Sequence, residues 1–292
     1  KVLEEDGEGV GLFRTEFLFM DRERLPGEEE QFAAYKRAAA VLGDRPLTIR
    51  TLDLGGDKAL PYLNMPKEEN PFLGLRGIRY CLQHPEILYT QLRAVLRASA
   101  WGNVRLMFPL ISIPEELWAG RALLEKAKVE LTAQGMAFDP HIPVGIMVET
   151  PSAALLADVL ARDADFFSIG TNDLTGYMLA CDRNNPQISG MFSSLQPCVL
   201  RTIRHIVQQA HAHHIPVGMC GEAAADALMA PLLLAFGLTD FSVAPASVLT
   251  VRNFISHWSL AEARLAAEAV MAMDTEEEIS RYLRQRPETQ PL

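Results

Sequence analysis

With 292 residues, 49% of them hydrophobic, the chain can fill the core of one large α/β barrel or of two ordinary domains. Its 27 Lys+Arg against 37 Asp+Glu give a formal net charge of -10, which repels nucleic acid and anionic membrane from most of the surface. An anionic ligand therefore needs a local cluster of arginines.

No apolar run is long enough to insert into a membrane: the longest, Ala230 to Leu238, is interrupted by Pro231 and Gly237. Cys81, Cys181, Cys198 and Cys220 form no C-x-x-C pair and are too sparse for a disulfide scaffold, so reduced thiols in a cytoplasmic protein are expected. The chain opens at Lys1 in a polar stretch and closes on Arg286-Pro287-Glu288-Thr289-Gln290-Pro291-Leu292. Both ends read as cuts or linkers of a longer polypeptide, with 286–292 as the linker.

Short runs rich in Val, Ile, Leu and Phe alternate with stretches of helical period, the pattern of parallel strands buried on both faces. In chain order the strands are Val10 to Phe13, Leu47 to Leu54, Val104 to Phe108, Val144 to Val148, Phe166 to Ile169, Val217 to Met219 and Phe241 to Ala244. Helices are predicted over Glu28 to Leu42, Glu86 to Ser99, Glu115 to Gln134, Pro151 to Arg162 with Thr150 as N-cap, Cys198 to His213 and Ala223 to Phe236. Two more follow, Leu260 to Asp274 and Thr275 to Leu283, the second opened by a Thr275/Glu278 capping box. Alternation of this kind over about 250 residues favours a closed α/β (β/α)8 TIM barrel over an open sheet, spanning 1–292 as one domain. Seven strands are legible, and the first of the eight is expected upstream of Lys1.

In such a barrel the residues that leave the C-terminal ends of the strands meet on one face. Here those ends are polar: Arg14, Arg50, Glu149, Asn172-Asp173, Cys220 and Glu222 each follow a buried run. Two carboxylates, Glu149 and Asp173, without a Cys/His set beside them suit a hard cation, Mg²⁺ or Mn²⁺, completed by substrate oxygens. Arginine forks pair bidentately with carboxylate and phosphate, so Arg14 and Arg50, with Arg76 and Arg183 as further candidates, describe a small ligand that carries both groups.

Six segments make the pattern specific: Gly11-Leu12-Phe13-Arg14-Thr15-Glu16-Phe17, Arg50-Thr51-Leu52-Asp53-Leu54-Gly55-Gly56-Asp57-Lys58, Glu69-Asn70-Pro71-Phe72-Leu73-Gly74, Met147-Val148-Glu149-Thr150-Pro151, Gly170-Thr171-Asn172-Asp173-Leu174-Thr175 and Gly218-Met219-Cys220-Gly221-Glu222. Together they resemble the phosphoenolpyruvate-utilising family, most closely the C-terminal domain of enzyme I of the bacterial sugar phosphotransferase system, including its fused multiphosphoryl forms. The resemblance runs from about Gly9 to the final helices. It implies that Arg14 and Arg50 hold the substrate phosphate, with Asn172 and the backbone near Asp173 adding contacts. It further implies that Glu149 and Asp173 bind Mg²⁺, that Arg183 and Arg76 are further basic groups of the site, and that the Cys220 thiol protonates the enolate of pyruvate. The acceptor implied is a histidine on a separate domain of the same polypeptide, followed by a phosphocarrier protein, and the assembly implied is a homodimer. Gly176 and Leu75 depart from the family pattern, which has Gln and Trp there.

A thiol with an ordinary pKa of about 8.5 is protonated at neutral pH and able to donate, although a small buried core residue is the commoner role of cysteine. Phosphoryl transfer asks the protein mainly to position the donor and neutralise charge. The Gly55-Gly56 pair reads either as a phosphate-facing backbone turn or as a plain loop. Rival readings are a pyruvate phosphate dikinase or phosphoenolpyruvate synthase barrel, a metal-dependent pyruvate-enolate lyase, and a non-catalytic phosphoenolpyruvate sensor. The Asp173 to Arg183 spacing and compact length speak against the first, four arginines against the second, and Cys220 against the third.

Overall fold

The computed structural model describes residues 1–20, 22–55, 61–63, 67–286 and 289. Seven strands are formed: β1 (Val10–Phe13), β2 (Leu47–Arg50), β3 (Val104–Phe108), β4 (Val144–Val148), β5 (Phe167–Gly170), β6 (Val217–Cys220) and β7 (Asp240–Ser242). Strand order equals chain order, and the pairings that join β1 to β4 and β5 to β7 are all parallel. With a helical segment between successive strands, this is the sequential pattern of a TIM-barrel-like α/β fold. The described residues divide into two compact units, Glu8–Met147 and a second made of Lys1–Gly7 with Val148–Leu292.

In the first unit β2 is buried at all four positions, but it stops at Arg50 rather than running to Leu54. The Thr51 N–H still donates to Met107 O at 2.9 Å, whereas the Leu52 N–H donates to the side-chain Oε1 of Gln91 at 2.8 Å. A helix side chain thus takes over from β3, and the chain leaves the sheet there. Gln91 in turn donates to the Tyr35 hydroxyl at 3.0 Å, and Tyr35 donates to Gln31 at 3.1 Å, so this buried polar relay is bonded along its length. The unit's helices are α1 (Glu28–Leu42), α2 (Ile78–Gln83), α3 (Pro85–Ser99) and α4 (Pro114–Ala133). Glu28 clamps α1 to α3 through Arg93 at 2.6 Å and Arg97 at 2.7 Å. Only α2 is absent from the expectations. It starts after Gly77, which has φ 57° and where an added Cβ would stand 2.8 Å from that of Leu110.

The second unit carries α5 (Pro151–Leu155), α6 (Ala157–Leu160), α7 (Thr171–Leu179), α8 (Pro197–Ala212), α9 (Ala230–Phe236), α10 (Val248–Ser256), α11 (Leu260–Met271) and α12 (Glu276–Arg284). The single helix expected over Pro151 to Arg162 is broken at Leu156, although Thr150 does cap it by accepting from the Ala153 N–H at 3.1 Å. The helix expected from Ala223 begins instead as a short 3₁₀ turn, Glu222–Ala225, and resumes at Ala230, because Asp226 accepts from the Leu228 N–H and closes a turn between them. Of the Thr275/Glu278 capping box only half forms: Thr275 accepts from the Glu278 N–H, while the Glu278 carboxylate takes its bond from Asp274. A full box stands at Ser259/Glu262 instead. Among the described residues no helix is long and apolar enough to cross a membrane. Most of the linker expected over 286–292 lies outside the described residues, as does Gly56 of the Gly55-Gly56 pair.

Candidate active site

In the first unit the end of β2 is a buried charge cluster. Arg50 continues a strand of apolar and Thr residues, so its stem is buried with the sheet and its side chain is only 5% exposed. Its guanidinium is ion-paired to Glu16 and reaches Asp53 at 3.3 Å, and Nη1 also lies 3.6 Å from the Met147 sulfur. Arg76 meets the same Asp53 oxygen at 3.3 Å, so one carboxylate that is 1% exposed joins two buried arginines. The Thr15 hydroxyl donates to Arg50 O at 2.9 Å and ties the segment after β1 to the end of β2. Arg14, one residue earlier, is exposed and makes no side-chain hydrogen bond or ion pair among the described residues. Glu16 and Asp53 are the partners that sequence reasoning passed over, because an acid just beyond a strand reads as a solvated loop residue.

In the second unit Glu149 directly follows β4 and is 1% exposed. Asn172 and Asp173 lie in the first turn of α7, where the backbone N–H groups and the helix dipole favour negative charge. The Asn172 carboxamide oxygen accepts from the Glu222 N–H at 3.3 Å, which directs its NH₂ group elsewhere. Gly221, between Cys220 and Glu222, has φ 122°, and an added Cβ would collide with the Thr171 hydroxyl. The residue is therefore glycine on two counts. Arg183 is exposed and lies 3.8 Å from Glu222, an ion pair that solvent largely screens. Cys220 ends β6, is 3% exposed, and its sulfur accepts a hydrogen bond from the Ser168 hydroxyl at 3.3 Å. The two departures are mild: Gly176 leaves an ordinary space next to Cys181 O, and Leu75 is held through its N–H by Glu68 at 3.0 Å.

Each unit thus carries its own part of the expected set: Arg14, Arg50 and Arg76 in residues 8–147, and the carboxylates, amide and thiol with Arg183 in residues 148–292. Against known proteins, a family model described as the PEP-binding domain of PEP-utilising enzymes matches residues 1–260. The chain belongs to the PEP-utilising enzyme family. Among curated members of that family it is 48% identical over 284 residues to the phosphoenolpyruvate-protein phosphotransferase of Bacillus subtilis (strain 168), covering 97% of this chain and 50% of the relative. It is 50% identical over 276 residues to the protein of the same name from Haemophilus influenzae, covering 94% and 48%. The chain therefore spans about half the length of the curated relatives it matches. Among solved structures, a malate synthase from Haloferax volcanii in ternary complex with pyruvate and acetyl-CoA superposes with a TM-score of 0.52 at 12% identity, over 88% of this chain and 67% of that one. That likeness extends the fold beyond the family.

Proposed function

We propose that the chain is the phosphoenolpyruvate-binding, catalytic part of a phosphoenolpyruvate-protein phosphotransferase, read as one barrel domain over 1–292. It passes the phosphoryl group of phosphoenolpyruvate to a histidine on a separate domain of the same polypeptide and releases pyruvate, in the cytoplasm, as a homodimer that feeds a downstream phosphocarrier protein. The observation that carries the reading is the pair of buried arginines, Arg50 and Arg76, gathered at the end of a strand by one carboxylate in a chain whose net charge is -10. Glu16 and Asp53 compensate these guanidiniums and hold them in place, and their planar forks suit a small ligand with a phosphate and a carboxylate. Relatives named phosphoenolpyruvate-protein phosphotransferase support this over the dikinase and lyase readings.

The donor set fits Mg²⁺. Glu149 and Asp173 offer hard oxygen ligands, and Mg²⁺ is held by one or two carboxylates with substrate oxygens and water completing its shell. Bound there, Mg²⁺ would neutralise charge on substrate oxygens. Arg14 and Arg50 hold the phosphate, and the Asn172 NH₂ group donates to it. Arg76 and Arg183 complete the basic surround. When the enolate of pyruvate leaves, the Cys220 thiol gives its proton to the terminal carbon, and the ketone forms. Calorimetry tests the metal assignment: phosphoenolpyruvate should bind with Mg²⁺ present and lose at least about tenfold in affinity, roughly 1.4 kcal/mol, in excess EDTA. Equal affinity in both buffers removes Glu149 and Asp173 from the metal role.

A further inference from the structure

Ser168 sits in the middle of β5, a strand buried at every position, and is itself only 6% exposed. A hydroxyl in such a strand costs free energy unless it is bonded, and an apolar residue would fill the place more cheaply. The bond it makes is to a reactive group: Oγ donates to the Cys220 sulfur at 3.3 Å. The sheet register makes that contact possible. Ser168 is the Cα partner of Gly218, and Gly170 is the partner of Cys220. Ser168 and Cys220 thus share a face as diagonal neighbours on adjacent strands, two residues apart in register. The two positions directly opposite them are both glycine, so no side chain of either strand stands between hydroxyl and sulfur. Cys220 itself donates its thiol hydrogen to Ile169 O at 3.7 Å, a weak bond that leaves the sulfur able to accept from Ser168.

We propose that Ser168 is a positioning residue for Cys220, orienting its sulfur and stabilising the thiolate that is left once the proton has moved. The inference rests on the reading of Cys220 as proton donor. In that step the S–H bond breaks, its proton joins the terminal carbon of the enolate, and the C–O bond becomes a carbonyl. The electron pair of the S–H bond stays on sulfur, and water later returns a proton. Ser168 gives up no proton. Its O–H···S bond becomes charge-assisted as sulfur gains negative charge, and bonds of that kind are roughly twice as strong as neutral ones. The strengthening falls on the transition state and not on the resting enzyme, which is the condition for a rate effect. An ordinary core serine would show no such bias.

The test compares Ser168→Ala and Ser168→Thr with the unaltered 292-residue chain, with Mg²⁺ supplied. NMR follows exchange of solvent deuterium into the methyl group of pyruvate, which runs the same proton step in reverse, and calorimetry follows phosphoenolpyruvate affinity. Ser168→Ala should slow exchange about tenfold while affinity stays within about twofold, the loss expected when a hydrogen bond to a charged group is removed. Ser168→Thr keeps the hydroxyl and should recover most of the exchange rate. Wild-type exchange in Ser168→Ala overturns the proposal, as does a parallel fall of exchange and affinity, which marks a merely structural role. A Ser168→Thr chain that melts and binds like the wild type yet exchanges as slowly as Ser168→Ala also overturns it. Failure of the underlying reading looks different: the unaltered chain would show no exchange, or Cys220→Ser would exchange at the full rate.

Discussion

At the scale of single residues the decisive feature of the cationic half is that two of its arginines, Arg50 and Arg76, are buried and already engaged, while Arg14 is exposed. Asp53 accepts from Arg76 at 3.3 Å and is ion-paired to Arg50 at the same distance, and it is nearly inaccessible. Removing its charge by Asp53→Asn leaves two desolvated guanidiniums with less compensation, and breaking a buried pair typically costs about 3–5 kcal/mol. Urea unfolding of Asp53→Asn should show a loss of that order, and a loss under about 1 kcal/mol would mean that solvent screens the cluster. The cationic candidates themselves were legible in the sequence because guanidinium forks have one outstanding use beside strand ends. Their carboxylate partners were not, since nothing in a linear sequence says that Asp53 turns inward. Ser168 was equally silent: one hydroxyl in an apolar run has no period, and only the pairing of β5 with β6 brings it to Cys220.

At the scale of elements α1, α3, α4, α8 and α12 were read within a residue, whereas β2 ends four residues early, α9 starts seven residues late, α11 ends three residues early and α10 was not expected. Helix α7 was missed because Thr, Asn and Asp compete for their own backbone and lower helix propensity, yet the same three residues make its first turn. The break at Leu156 lies inside an unbroken apolar pattern, and α2 is too short for a period to show. Caps decide such ends, and the box at α11 gives a measurable case. Ser259 accepts from the Glu262 N–H at 3.2 Å, while the Glu262 carboxylate accepts from the Ser259 hydroxyl at 2.6 Å and the Ser259 N–H at 3.0 Å, and those two bonds, the hydroxyl's first, hold the carboxyl below the usual carboxylate range. A depressed folded-state pKa contributes stability that is present above the unfolded value and lost as pH falls through the folded one. Ser259→Ala removes a cap worth about 1 kcal/mol. Its melting point should fall by a few degrees at neutral pH and by clearly less below the range where Glu262 titrates; the same decrement at both pH values would show that the carboxylate takes no part.

At the scale of the molecule, the strand-helix order and the family were both legible, because seven buried runs and six motifs are spread along nearly the whole chain and each constrains the next. What the chain does alone follows from its composition of site groups. Phosphoryl transfer needs a donor site and an acceptor nucleophile, and on the proposed reading the acceptor is a histidine outside this chain, none of whose own seven follows a barrel strand in the sequence as the site candidates do. His213 caps the close of α8 with Nδ1 at 3.0 Å from Gln209 O, and the His84 ring lies 4.5 Å from that of Tyr80. His205 and His211 belong to α8, and His214 follows it. The chain spans about half the length of the curated relatives named above. The 292-residue chain should therefore bind phosphoenolpyruvate with Mg²⁺ but release no sustained pyruvate, and adding the N-terminal half of a relative in trans should start turnover. A coupled pyruvate assay, run with and without that half, reads the difference. Binding supplies the donor and its electrostatic stabilisation but not the group that receives the phosphoryl. Steady pyruvate release from the chain alone would show that water or a residue of this chain accepts it, and the separate histidine domain would have no place in the reaction.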